Sequence, residues 1–489
     1  MKFFRVVLDE AHNIKNRKSL QARATAAVDA ERRWAVTGTP IQNHIDDLFS
    51  LFHFLKVNPH GDWRWWSRFI GKPFEKKDKK AIDALQSVIK KLVIRRTKNK
   101  KINGKRIVML PPKRIETVNI QFTEAESNFY KSLYEYSKGK FNEFVRSGTV
   151  LKNYANILEM LLHLRQVCNH PALIITSFQK KSEKSTMNGF LESFEQKNAF
   201  EVYDSILPML PQVLKLNKEK NKPKQNLEDG MISSQLKAIN VTKYMRTNWR
   251  SSSKIGALIE KLRVLELGTK SVVFSQWTSM LDLVEVALEK SNIKFVRLDG
   301  KMQRKDRDDA VQKFKFDPHI QVCLISLKVG GTGLNLVWAT HVFLLDPWWN
   351  PAIEEQAIDR VHRIGQDKPV TVFRFVVKDS VEERILSLQK SKTKIANEAL
   401  NLGGSDDEEE ENYTTYTTSF LGGSFGGGAL KSKSYDSDEE YEDDDEDEFN
   451  EVTVDDLEDE ESGSGGAMFG HTKKDAQKIR IKDLSTIFV

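Results

Sequence analysis

"VVLDEAHNIKN" (Val6–Asn16) is the stretch from which the rest of the sequence can be read. Three apolar residues, Val6, Val7 and Leu8, run straight into Asp9, Glu10, Ala11 and His12. A short apolar run of this kind reads as a buried strand. An amphipathic stretch over 19–29 follows "FFRVVLDE", then a second strand in "RWAVTGTP" (Arg33–Pro40) and helical spacing in "IDDLFSLFHFL" (Ile45–Leu55). Strand, helix, strand, helix is the order of a parallel sheet with helices packed over it. Ligands of such sheets bind beyond the carboxyl ends of the strands. Asp9 is therefore placed to hold Mg²⁺ through water, and Glu10 to orient or deprotonate an attacking water. Four residues match often by chance, and a strand-end Asp also caps helices, so the motif needs company.

That company is spread along the chain. "TGTPIQN" (Thr37–Asn43) ends the next strand, and the hydroxyls of Thr37 and Thr39 with Gly38 suit a loop that senses the neighbouring site. A second doubly wound α/β region starts near Lys254. Its strands are "SVVFSQ" (Ser271–Gln276), "KFVRLD" (Lys294–Asp299), "IQVCLIS" (Ile320–Ser326), "HVFLLD" (His341–Asp346) and "VTVFRFVV" (Val370–Val377). Helices are expected near 279–290, 303–315 and 352–364, with a long amphipathic one over 380–400. In "SLKVGGTGLNL" (Ser326–Leu336), Gly330, Gly331 and Gly333 follow a strand, where glycines let backbone N–H groups approach phosphate. "QAIDRVHRIGQ" (Gln356–Gln366) places Arg360 and Arg363 three apart on one helix face, able to cross a cleft as fingers on a γ-phosphate. Gln356, which opens this stretch, is assigned with Gly331 and Gly333 to the nucleotide.

Composition bounds the rest. The net charge is +7, but residues 404–461 hold 24 Asp/Glu and two Lys, so the remainder carries about +29. A body this basic points to a polyanionic partner, and the acidic tail to a basic partner or to self-shielding. Two cysteines, Cys168 and Cys323, exclude a disulfide framework and any multi-cysteine zinc module, and imply a reducing, intracellular setting. No apolar run of membrane-spanning length exists, and no membrane partner is expected. Six regions are expected: 1–114, the first α/β lobe; 115–175, a helical protrusion; 176–252, a polar linker; 253–402, the second lobe with its closing helix; 403–470, a disordered acidic and Gly-rich tail; and 471–489, a short carboxyl-terminal element.

Taken together, these motifs resemble the SWI/SNF-type ATPases of helicase superfamily two. Further pieces fit: "IRRTK" (Ile94–Lys98), "LPPK" (Leu110–Lys113), "LRQVCNHP" (Leu164–Pro171), "VVFSQW" (Val272–Trp277), "DPWWNP" (Asp346–Pro351) and "VEERILSLQ" (Val381–Gln389). The resemblance implies two RecA-like lobes, use of ATP with Mg²⁺, translocation on double-stranded DNA, and a nuclear location. It also implies DNA contacts from Gln276, Trp277, Lys328 and Trp348; for Lys328 a solvated surface is an equal reading, as it is for the Lys-rich stretch 72–106. Trp65, Trp66 and Trp349 are read as core. With only two cysteines, the branch with a RING between the lobes is disfavoured. The ending "KIRIKDLSTIF" is similar to that of the lodestar-type transcription termination factors, which release RNA polymerase II transcripts. Chromatin proteins are the other expected partners, with histones for the acidic tail.

One part of the expected machinery is not in the sequence. A G-x-x-x-x-G-K-[ST] phosphate loop occurs nowhere in residues 1–489. In the family it lies upstream of the Asp–Glu pair, which here begins at residue 9. The expectation is an incomplete first lobe, with one apolar side of "RVVLDE" left without neighbours and no hydrolysis by this polypeptide alone. The alternative is a non-enzymatic DNA- or chromatin-binding module.

Overall fold

The computed structural model describes residues 2–42, 44–76, 78–96, 98, 100–103, 105–174, 245–246, 249–300, 302–327, 333–400, 417–420 and 487–488. Most of the expected linker, and the acidic blocks themselves, lie outside the described residues.

In the amino-terminal part, β1 (Phe3–Leu8) pairs in parallel with β2 (Ala30–Ala35), Phe3 opposite Ala30 and Leu8 opposite Ala35. Helix α1 (Leu20–Ala27) connects them, and α2 (Asp46–Phe54) follows. Helix α2 carries apolar residues nearly all round, and Leu48, Phe49, Leu51, Phe52 and Phe54 are all buried. Trp66, Ile70, Leu85 and Ile89 close this core, with Trp66 wholly buried as the sequence suggested. The 58–114 stretch is more ordered than its irregular composition implies, because α3 (Lys79–Leu92) presents Ala81, Leu85 and Ile89 at helical spacing. The buried-strand expectation for β1 fails: none of its residues is buried, and Phe4 and Val7 are 60% and 55% exposed. A two-stranded sheet covered by helices on one side leaves its other side in water.

Strands β3 (Lys101–Ile102) and β4 (Lys105–Arg106) form a small antiparallel pair. The larger sheet has seven strands, all parallel, in the order β11 (Thr417–Phe420), β5 (Lys113–Ile120), β10 (Val370–Val377), β9 (His341–Leu344), β6 (Ser271–Ser275), β8 (Ile320–Ser326) and β7 (Lys294–Leu298). It contains the five expected strands, β6 (Ser271–Ser275), β7 (Lys294–Leu298), β8 (Ile320–Ser326), β9 (His341–Leu344) and β10 (Val370–Val377). Every residue of β6 is buried, as a central strand covered on both faces requires. Two further strands extend the edge. β5 (Lys113–Ile120) pairs with β10 along its full length, so the expected boundary at 114/115 cuts through a strand of the second sheet. Val118 and Ile120 are buried on one face and Ile115 on the other. β11 (Thr417–Phe420) adds a strand from within the expected disordered tail, where Thr-rich "TTSF" has the β propensity the acidic blocks lack.

Helices α4 (Glu124–Arg146) and α5 (Tyr154–Asn169) form the protrusion. Thr123 and Glu126 make a reciprocal capping box at the start of α4. Glu126 also accepts from the Ser253 backbone (3.0 Å) at the start of α6 (Ser253–Arg263). Ser252 Oγ donates to the Asn169 carbonyl (2.7 Å), and His170 Nε2 to the Arg250 carbonyl (3.1 Å). Residues 249–252, expected as linker, are thus built into a junction with the protrusion. Helices α7 (Thr278–Lys290) and α8 (Arg304–Phe316) pack on the sheet, followed by α9 (Pro351–Ile358) and α10 (Val381–Leu400).

Candidate functional site

Strand order places the candidate residues. From β6 the chain runs out to β7 and β8, then crosses back over β6 to β9 and β10. The order therefore reverses around β6, and the carboxyl ends of β6, β8 and β9 border the crevice where such sheets bind ligands. Gln276 and Trp277 follow β6, the Gly-rich stretch follows β8, and Asp346–Trp349 follows β9. The Gln276 N–H donates to Asp346 (2.9 Å), pinning two strand ends together. Asp346 is buried, and burial pushes its carboxyl up despite that donor.

Trp277 and Trp349 flank one guanidinium. Arg165 of α5 lies 5.2 Å from the Trp277 ring centre and 4.9 Å from that of Trp349, and donates to the Pro347 carbonyl. Burial pushes Arg165 down to about 10 against the pull of Asp346. Trp348 is partly buried against the sheet core, and its backbone N–H donates to Glu354 (2.8 Å). Lys328 and Gly331 lie outside the described residues. Gly333 is described, and a Cβ there would meet nothing within 4 Å, so packing does not ask for glycine.

Asp9 and Glu10 leave the end of β1. Glu10 adopts a left-handed conformation (φ 48°, ψ 49°), and its N–H donates to Asp9 Oδ1 (2.9 Å). Such a backbone costs a non-glycine residue about 1–2 kcal/mol. The next N–H, of Ala11, donates to the Val36 carbonyl (2.9 Å), which holds the turn against β2. His12 Nδ1 lies 3.1 Å from Thr37 Oγ1 and 3.5 Å from Glu10. Burial pushes its imidazole below the ordinary value, with Glu10 opposing. Thr37 Oγ1 also accepts from the Thr39 N–H (3.2 Å), and a Cβ on Gly38 would meet nothing within 4 Å. The carboxylate turn and the "TGTPIQN" loop are therefore in direct contact through His12.

Glu10 also reaches the second sheet. Gln356 Nε2, on α9, donates to Glu10 Oε1 (2.9 Å). Arg360 lies close enough for Glu10 to favour its charge, while burial, the larger influence, pushes its pKa down. Arg363 faces elsewhere, donating to the Leu334 carbonyl (3.2 Å). The two arginines do not share a helix face as expected: α9 ends at Ile358, and 359–366 is a series of turns with Gly365 at φ 100°. The Arg360 carbonyl is committed to the Leu336 N–H (2.9 Å) instead of a helical bond. Lys98, from "IRRTK", bonds Asp359 and the His362 carbonyl (2.9 Å), a role the sequence reading did not give it.

Among the described residues, no three His, Cys, Asp or Glu side chains cluster as a metal site. Asp9 is exposed and presents a hard carboxylate oxygen. That fits Mg²⁺, which usually keeps several waters and binds one or two carboxylates together with substrate phosphates.

These two α/β parts define the class of protein. An SNF2-related domain matches residues 1–173 and a helicase conserved C-terminal domain residues 253–365. The chain is of the SWI/SNF type within helicase superfamily two. Its relatives include DNA repair protein RAD5A of Arabidopsis thaliana, 39% identical over 82% of this chain and 43% of that protein. The helicase-like transcription factor of Mus musculus is 37% identical over 83% of this chain and 44% of that protein. The chain thus spans less than half the length of either relative. The SWI2/SNF2 ATPase core of Sulfolobus solfataricus, solved with double-stranded DNA, is 26% identical over 82% of this chain and 71% of that one. Its TM-score is 0.37, too low to add to the strand order above.

Proposed function

We propose that this chain belongs to an ATP-dependent double-stranded DNA translocase that remodels or displaces protein–DNA complexes. The observation that carries the reading is the Gln356–Glu10 hydrogen bond, with Arg360 beside it, joining the carboxylate turn of the first lobe to the "QAIDRVHRIGQ" stretch. Asp9 would hold Mg²⁺, which would supply positive charge against the ATP phosphates. Glu10 orients the attacking water, Gln356 holds Glu10, and Arg360 stabilises charge on the transferred phosphoryl group. Arg363 joins it if it leaves the Leu334 carbonyl. Gly331 and Gly333 offer backbone N–H groups to phosphate, and Thr37, Gly38 and Thr39 couple the nucleotide to the neighbouring loop. On the DNA side, Gln276, Trp277 and Lys328 track phosphates from the strand ends. Trp348 contributes its position in that turn more than exposed surface.

The relatives' names support work in DNA repair and transcription, and hence the nucleus; release of RNA polymerase II transcripts and contact with chromatin proteins belong to this proposal too. The acidic segment is suited to basic proteins such as histones. A second reading concerns the polypeptide 1–489 itself: lacking the G-x-x-x-x-G-K-[ST] loop, it binds duplex DNA without hydrolysing ATP.

Two measurements test this. The polypeptide 1–489 should bind short duplexes regardless of sequence, with log affinity falling linearly against log salt, and should show no DNA-stimulated hydrolysis. In the longest form of the protein that cells make, Glu10→Gln and Arg360→Ala should lower DNA-stimulated hydrolysis by about 10³-fold or more while leaving duplex binding nearly intact. Loss of DNA binding with hydrolysis preserved overturns the site assignment. Hydrolysis by 1–489 that Glu10→Gln abolishes overturns the second reading.

A further inference from the structure

The end of the chain occupies a groove that none of the nucleotide or DNA residues uses. Ile487 and Phe488 are 0% and 1% exposed, although they follow a long polar and acidic segment. The Phe488 ring stacks on Phe141 of α4, centres 4.9 Å apart and planes at 22°. Tyr130, Tyr134, Ser137 and Phe141 recur at helical spacing on α4, so one face of that helix forms a wall of the groove. Helix α10 forms the opposite wall and supplies Arg384.

The main chain of the dipeptide is read as well as its side chains. Arg384 donates to the Ile487 carbonyl and to Tyr134 Oη (2.7 Å). Tyr134 Oη in turn donates to the Phe488 carbonyl (3.3 Å). The Arg384 guanidinium also lies over the Tyr134 ring, 5.2 Å from its centre. Two consecutive carbonyls are therefore held by one Arg–Tyr pair while two apolar side chains are buried. Main-chain hydrogen bonds combined with side-chain pockets are the elements of peptide recognition. Buried carbonyls need donors wherever they lie, and here both are supplied by two side chains from two different helices.

We propose that the groove between α4 and α10 is a peptide-binding site. Its ligand is a helical turn with an aliphatic residue followed by Phe, and in this chain Ile487–Phe488, which is helical, fills it as an exchangeable clasp. The clasp ties the protrusion to the helix that closes the second lobe. It also anchors the downstream side of the segment 431–461, which holds 18 Asp/Glu and two Lys, while β11 on β5 anchors the upstream side. Releasing the clasp frees one of these two anchors. A ligand tethered to its own site outcompetes the same peptide added free at low concentration, so the resting state is the one seen here.

The test uses a fluorescent peptide of residues 478–489, "KIRIKDLSTIFV", read by anisotropy. The wild-type chain should bind it at least about tenfold more weakly than a chain carrying Ile487→Ala and Phe488→Ala, whose groove is empty. Adding Phe141→Ala to the emptied chain should abolish binding. Equal binding by wild-type and emptied chains overturns the proposal. A second experiment leaves every groove contact intact, in case the emptied chain does not fold. A protease site is placed within 462–470 of the otherwise wild-type chain and cut. The released terminal piece should co-elute with the body and be displaced by excess unlabelled peptide. A piece that separates at once, or that excess peptide never displaces, also overturns it.

Discussion

Lys254→Met isolates the buried charge at the junction of protrusion and second lobe. Lys254 and Glu382 side chains are 0% and 1% exposed and pair at 2.6 Å. Lys254 Nζ also donates to Asn169 Oδ1 (2.9 Å), and Glu382 accepts from the Val377 N–H (3.0 Å). Three segments therefore meet on one ion pair: the end of α5, the first turn of α6 and the start of α10. Methionine keeps most of the side chain's length, so the lost term is electrostatic and leaves Glu382 without its counter-charge. Breaking one side of a buried pair costs about 3–5 kcal/mol. At about 2–4 °C per kcal/mol for a domain of this size, the melting temperature falls by roughly 6–20 °C. The double variant Lys254→Met/Glu382→Leu removes the stranded charge and should recover part of the loss, leaving about 1–3 kcal/mol for the Val377 N–H without its acceptor. The pH dependence gives an independent check. Burial, the largest influence, pushes the Glu382 carboxyl up, and Lys254 pulls it back. Without Lys254 it rises further. A raised carboxyl contributes stability that is fully present below its unfolded value of about 4.3 and is lost as pH rises through the folded value. The penalty of Lys254→Met should therefore grow from acidic to neutral pH. Urea unfolding followed by circular dichroism measures all three quantities. A single-variant cost below about 1 kcal/mol, or a penalty that shrinks toward neutral pH, would refute the reasoning.

Two further perturbations probe the site's supports. Asp47 accepts from the Gln42 N–H (2.8 Å) and the His44 N–H (3.4 Å), fastening the "TGTPIQN" loop to α2. Asp47→Ala should cost about 1–3 kcal/mol and speed hydrogen exchange of the described loop residues, while unchanged exchange there would show that the loop is held otherwise. Arg165→Lys keeps the charge but loses the planar group between Trp277 and Trp349, and such a swap is not conservative at a stacked site. It should shift tryptophan emission and weaken duplex binding by 1–489; unaltered DNA binding would separate Arg165 from the proposed DNA face.

The second lobe was legible because its strands are short, near-continuous apolar runs such as "SVVFS" and "IQVCLIS", the pattern of strands buried on both faces of a parallel sheet. β5 escaped for the opposite reason: "KRIETVNI" alternates, lies after a Pro pair, and gains its place only by pairing with β10, some 250 residues later in the chain. The arginine turn was misread as helix because Gln356, Ala357 and Ile358 do continue α9 in sequence pattern. What ends the helix is tertiary, since the Arg360 carbonyl is taken by Leu336. β1 shows the same limit from the other side. An apolar run predicts what a strand requires, but burial depends on neighbours, and β2 alone does not supply them. Candidate site residues were legible as motifs; their pairings were not, because Gln356 and Glu10 are 346 positions apart.

The motifs that served only to establish resemblance acquire a physical task once the turn 359–366 is considered as a mechanical element. That turn keeps local bonds, among them the His362 N–H to the Ile358 carbonyl (2.9 Å), and it is also held from outside on either side of Arg360. Lys98 of "IRRTK" bonds Asp359 and the His362 carbonyl, on either side of Arg360. His362 Nε2 reaches the Pro111 carbonyl of "LPPK" (2.8 Å). A carbonyl only accepts, so that nitrogen carries a proton, and burial, the largest influence, pushes the His362 pKa down. Gln366 closes the turn from below, donating to the Ala339 (2.9 Å) and Val361 (3.2 Å) carbonyls. Lys98 and Pro111 come more than 240 positions before the turn they hold, so two motifs distant in sequence meet the arginine stretch through hydrogen bonds to Asp359 and His362, on either side of Arg360.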